Sequence, residues 1–168
     1  MIGRDYCVTM ARYNAWQNSL LAGALDALGA EALSQDRGAF FGSIQRTVNH
    51  ILWGDHLWIS RFDGGAGPDI GGLDGLQAFE TLAGWRAERE RMDGRISLWA
   101  ASVEEADLAG DLTWHASMSG MDLTKPMALC VMQFFNHQTH HRGQVHAMLT
   151  AAGGEGYVTD LPYMPEAG

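Results

Sequence analysis

The sequence predicts an all-α protein, a four-helix bundle formed by a single domain over residues 1–168. Three observations predict it. Four long stretches carry apolar residues at three- and four-residue steps, the period of a helix with one buried face. Only one short stretch between them alternates in the manner of a strand. The chain has 168 residues, 46% apolar and 18% charged, which is enough material for one core and too little charge for a disordered chain.

The first helix is expected from Asp5 to about Leu28, through Tyr6, Met10, Tyr13, Leu20, Ala24 and Leu28, with Asp5 as cap and Gly29 as stop. A second periodic stretch runs from about Gly38 to Phe62 through Phe41, Ile44, Val48, Ile51, Leu52, Trp58 and Ile59. It ends at the glycine-rich loop DGGAGPDIGG. The third helix is expected from about Leu73 to Val103, where Leu76, Phe79, Leu82, Met92, Ile96 and Trp99 punctuate the charged run RAERERMDGR. Between Asp107 and Asp122 the helical period is lost, and partial alternation at Leu112, Trp114 and Ala116 predicts a small hairpin or irregular crossover. The last helix is expected from about Lys125 to Ala152, with Thr124 as cap, Pro126 in the first turn and Gly153 as stop. Packed side by side, the four bury their apolar stripes.

Charge and cysteine usage narrow the function classes. Lysine and arginine number 11 against 20 aspartates and glutamates, a net charge of −9 that disfavours nucleic acid and anionic membrane surfaces as partners. Cys7 and Cys130 lie far apart, outside any zinc-ribbon or disulfide pattern, so a reducing, cytoplasmic setting is expected. There is no signal-like opening and no apolar run long enough to span a bilayer, so neither export nor membrane insertion is expected.

Histidines supply the chemistry. His137 and His141 are four apart, so they differ by roughly 40° around the helix and one turn along it, and both imidazoles can reach one ion. Cys130, Phe134, Met148 and Ala152 share that face, which turns the pair inward. An unpartnered buried polar ring costs about 1–3 kcal/mol, and a metal ion relieves two at once; hydrogen bonds to carbonyls or water are the competing explanation. A third ligand from another helix would give the pattern of an open, reactive site. His50 and His56 both fall roughly 120° from the centre of the second helix's seam, on opposite edges, so periodicity does not choose between them.

The motif NHQTHHRGQ on the last helix, with VNHILWGDHLW on the second, RYNAWQN on the first and TDLPYMP at the end, resembles the DinB superfamily of small metal-binding four-helix bundles. The H-x-x-x-H-R-G-Q string is the specific part. The resemblance implies helices running up, down, down, up with one long crossover, and pairing into a homodimer. It also implies a divalent metal held by His50, His137 and His141. In characterised branches the activity is thiol-dependent S-transfer or isomerisation, so a small-molecule thiol and an electrophilic substrate are the expected partners. A metal-dependent hydrolase and a non-catalytic, metal-stabilised dimeric bundle are the alternatives.

Three imidazoles suit several divalent ions; zinc or nickel is expected, with iron or manganese as alternatives and copper also compatible on ligand type. Bound at an open site, such an ion acidifies a thiol or water. Gln133 and Gln144 lie roughly 40° and 20° from His137 and are candidates for bonding a ligand or water, against a bland surface role. Asp55 sits mid-seam, where it is expected to accept a bond from an imidazole or from Arg142, or to supply a fourth oxygen ligand. His140 projects toward the rim, either on the substrate side or merely solvated. His56, His115 and His146 are not expected to be ligands. Cys130 reads as a buried thiol, Trp53 and Trp58 as core or dimer-interface aromatics, and Arg142 and Gly143 as structural, Gly143 by allowing close helix approach.

Overall fold

The computed structural model describes residues 2–69, 72–116 and 119–166. Its long helices are α1 (Arg4–Leu28), α3 (Ile44–Asp63), α4 (Leu82–Ser102) and α6 (Met127–Ala151). Two short helices, α2 (Ala30–Ser34) and α5 (Glu105–Ala109), follow α1 and α4; strands β1 (Asp111–Ala116) and β2 (Met121–Pro126) precede α6. Short 3₁₀ segments form at Gly72–Gln77 and Leu161–Tyr163. The bundle with its small hairpin is the fold expected from the sequence.

Side-chain pairings fix the helix directions. Residues later in α1 meet residues earlier in α4, as Arg4 bonds Ala101, Asn18 bonds Asp93 and Asp26 bonds Arg86, so these two are antiparallel. Numbers rise together from α3 to α4, through Val48–Trp85, Asp55–Arg89 and Asp63–Arg95, and this pair is parallel. Antiparallel packing brings His50 to His137 and Phe62 to Phe134 between α3 and α6. The order is up, down, down, up, as the resemblance implied. The connection from α3 to α4 runs the length of the bundle.

Boundaries moved where capping or pairing outranked periodicity. The second long helix starts at Ile44, not near Gly38, because the Ser43 hydroxyl accepts from the Arg46 N–H and a bridge between Ala39 and Gly42 turns the preceding chain. Phe41 therefore lies outside the helix. The third starts at Leu82, where the Thr81 hydroxyl accepts from the Gly84 N–H; Leu76 belongs to a separate 3₁₀ turn. Hairpin pairing runs Asp111 opposite Pro126 to Ala116 opposite Met121; the expected turn includes residues 117 and 118, which lie outside the described residues. Pro126 thus ends a strand and precedes the last helix, and Thr124 bonds Thr113 across the hairpin at 2.8 Å instead of capping.

The core side of α1 is also shifted. Its buried residues are Cys7, Ala11, Tyr13, Asn14, Gln17, Asn18, Leu21 and Leu25, so Tyr13 is inside as expected, while Tyr6, Met10, Leu20, Ala24 and Leu28 sit on the half-buried flank. Asn14 and Asn18 belong to a network through the middle of the bundle. Asp55, fully buried, accepts from Arg89 at 2.6 Å and Gln138 at 2.9 Å. Arg89 also pairs with Asp93 at 2.9 Å, which accepts from Asn14 and Asn18 at 3.2 and 2.9 Å, and Arg142 donates to Asn14. Burial works against the Arg89 charge, yet Asp55 and Asp93 beside it hold its pKa above the ordinary value. Two carboxylates and two guanidiniums, with amides between them, tie all four long helices together.

Candidate metal centre

His50 is placed by α3, and His137 and His141 by successive turns of α6. One ring nitrogen from each lies within 4.8 Å of the others. The Nε2 atoms of His50 and His137 are 2.9 Å apart. Two imidazole lone pairs facing each other at that separation repel, so a proton or a cation belongs between them. The His141 Nδ1–H donates to the Gln144 amide oxygen at 2.7 Å, which leaves the opposite nitrogen as the free electron pair. Among the described residues this is the group of three or more His, Cys, Asp and Glu side chains arranged to hold an ion, and no fourth such side chain joins it.

Burial keeps these rings neutral. It lowers the pKa of His50 to about 3, with His137 and His141 adding to the effect, and that of His137 to about 4, with His141 and His140 adding. His141 is also lowered by burial, against which the Gln144 bond works. Neutral imidazoles are the ligating form. The Nδ1 of His137 is buried without a partner, so its only polar outlet is the nitrogen aimed at the cluster. The donor set, its protonation and its spacing all fit a divalent cation.

The neck of the site is built by residues with no titratable group. Gly54 lies against the His137 ring: a Cβ there would stand 2.8 Å from Cε1, closer than any real contact, so only glycine leaves the ring where it is. Gly143, expected to allow close helix approach, instead has open space around it. Phe41 covers the cluster from the turn before α3, its ring centroid 4.1 Å from that of His50 and 5.4 Å from that of His141. Trp53 stacks beyond His50 with centroids 6.2 Å apart. Neither Gly54 nor Phe41 was singled out for the site from sequence; the close approach of an antiparallel helix gives no signal in one strand of text.

The other candidates divide cleanly. His56 is on the edge of α3 that faces α4, bonded to Glu88 at 2.9 Å, which explains why two edges of one helix carried two histidines. Asp55 meets no imidazole and is held by Arg89 and Gln138. Gln144 touches His141 and also reaches His140, which is exposed, at 3.3 Å. Gln133 is exposed on α6. His115 pairs with Asp122 on the hairpin and His146 packs on Tyr157. Cys7 and Cys130 are both buried thiols. No helix among the described residues is long and apolar enough to cross a membrane.

Comparison with known proteins adds an independent line. The family model described as "DinB family" matches residues 1–167. The chain is 29% identical over 160 residues to Protein DinB of Bacillus subtilis (strain 168), a match covering 93% of this chain and 91% of that relative.

Proposed function

Because the chain belongs to the DinB family, whose model spans it almost end to end, we propose that His50, His137 and His141 bind a divalent metal, zinc or nickel, and that the site serves thiol transfer. The observation that carries this is the pair of Nε2 atoms 2.9 Å apart with the third imidazole alongside and no fourth His, Cys, Asp or Glu in the group among the described residues. Three protein ligands and an open position mark reactive sites, whereas structural sites are closed by four. Bound there, the cation would acidify a low-molecular-weight thiol or water by several pH units.

The protein's own groups supply the rest. Gln144 fixes the tautomer and tilt of His141, and Gly54 leaves His137 room to point at the centre. Phe41 and Trp53 wall the site with apolar surface, which strengthens electrostatic interactions inside it and suits an electrophilic organic substrate. A metal-pinned bundle without catalysis is the competing reading, and the half-exposed rings of His50 and His137 favour the reactive one.

The test is elemental analysis of untagged protein beside single variants. Wild type should carry stoichiometric metal; His50→Ala, His137→Ala and His141→Ala should each lose it while keeping their helical circular dichroism, and His140→Ala should retain it. Full metal content in the three ligand variants would refute the assignment. Thiol-dependent change in the absorption of cobalt-loaded protein then separates a reactive centre from a structural one.

A further inference from the structure

The facing stripes of α3 and α6 run past one another in a fixed register. His50 lies by His141 and Gly54 by His137, so four residues forward on α3 match four back on α6. Seven further on α3 is Arg61, and seven further back on α6 is Cys130; the two groups do interact electrostatically, as the register requires. Around α3, His50, Gly54, Leu57 and Arg61 fall within about 60° of one another at roughly 100° per residue. Arg61 therefore continues the stripe that holds the metal ligand, roughly 16 Å along the axis at 1.5 Å per residue. Its guanidinium lies 4.8 Å from the ring of Trp58, which in turn neighbours Phe62 and Trp114.

Among the described residues Arg61 has no anionic partner. Its guanidinium rests against the indoles of Trp58 and Trp114, at 4.8 and 5.2 Å, and is half-buried, yet no hydrogen bond or ion pair to a described residue satisfies its N–H groups. Most other arginines of this acidic chain find side-chain partners: Arg86, Arg89, Arg91 and Arg95 pair with carboxylates, and Arg4, Arg12, Arg37 and Arg142 donate to carbonyl or amide oxygens. Lys125, exposed on β2 and without a charged partner among the described residues, also acts on Cys130. The start of α6 has no side-chain cap, and its first N–H, that of Met127, donates to the Gly110 carbonyl at 2.9 Å. Between Arg61 and the histidines the stripe is partly open: Leu57 and Trp58 are half-buried and Gln133 is exposed.

We propose that Arg61 is a carboxylate-binding subsite of the histidine centre, receiving the acid end of an elongated thiol whose sulfur end reaches His50, His137 and His141. The thiol part rests on the function proposed above; the carboxylate part rests on the unpaired guanidinium and its place in the stripe. The forked N–H edge of arginine matches a carboxylate in two parallel bonds. Leu57 and Trp58 provide apolar contact for the chain between the two ends.

The full-length protein loaded with cobalt(II) tests this, with mercaptoundecanoate and mercaptoundecanol as long probes, mercaptoacetate as a short one, and sulfur ligation read from cobalt absorption. The long acid should bind about tenfold tighter than the long alcohol. Arg61→Gln, with cobalt binding and helicity retained, should erase that advantage and leave mercaptoacetate unaffected. An advantage of equal size in wild type and Arg61→Gln overturns the subsite while leaving thiol binding intact. If no thiol perturbs the cobalt, the thiol reading fails, and hexanoate titration followed by tryptophan fluorescence judges Arg61 alone. Saturation in wild type that is about tenfold weaker in Arg61→Gln supports the subsite, and equal affinities overturn it.

Discussion

At the scale of single residues, the centre depends as much on an absent side chain as on the imidazoles. Gly54 is mid-helix, where alanine would ordinarily stabilise by about 0.5–1 kcal/mol. The His137 ring occupies the space a Cβ would need, 2.8 Å from Cε1. Gly54→Ala should therefore separate two properties that usually move together: helical content holds or rises, while metal affinity falls by about 10- to 100-fold as His137 is pushed out of line, a loss of the size seen when ligand orientation is disturbed. Competitive chelator titration beside circular dichroism checks it. Unaltered affinity would mean that the ring relaxes without leaving the cluster, and that the close approach is incidental.

Between elements, a polar network threads the apolar core and links all four long helices, and this is where the sequence was least legible. Periodicity found the four helices, and the H-x-x-x-H spacing found two of the three clustered histidines, because both are local patterns written along one helix. His50 was chosen over His56 by resemblance; the physical discriminant is that its edge of α3 faces α6 while the His56 edge faces α4, and neighbour order is not local information. For the same reason Asp55 could be recognised as a buried carboxylate needing partners, but not matched to Arg89 and Gln138, which come from two other helices. The apolar stripe expected on α1 was displaced because Asn14 and Asn18 turn inward to Asp93 and Arg142, and polar residues in a core read from sequence as surface. Arg142 of the H-R-G-Q string is in this network and not in the metal group. Removing one member of a buried, paired set leaves its partner uncompensated, so Asp55→Leu should destabilise by about 3–5 kcal/mol. Denaturant unfolding should show that loss as a lower midpoint at unchanged slope, and a change below about 1 kcal/mol would mean the network is not a principal tie.

For the whole molecule, the three histidines couple folding to pH in a direction that can be worked out. In the unfolded chain each titrates near 6.5, whereas burial in the folded metal-free protein lowers His50 to about 3 and His137 to about 4, with His141 lowered as well. Between these values the unfolded chain binds more protons than the folded one, so stability is fully present above about pH 6.5 and is lost as pH falls toward 4. The half-exposed positions of His50 and His137 moderate the size of this effect but not its sign. Metal works the other way: it binds the neutral rings, stabilises the folded state by mass action, and must displace protons to do so at low pH. Urea unfolding of chelator-treated protein should therefore show a midpoint that declines from pH 7 to pH 4.5. The triple variant His50→Gln, His137→Gln, His141→Gln should decline less, since every carboxylate is common to both proteins and cancels in the comparison. Adding zinc should raise the wild-type midpoint, more at pH 7 than at pH 5, and leave the triple variant unmoved. Parallel pH profiles for the two proteins would show that the cluster is not held in its neutral form by the fold, and the case for a preformed metal centre would lose its electrostatic basis.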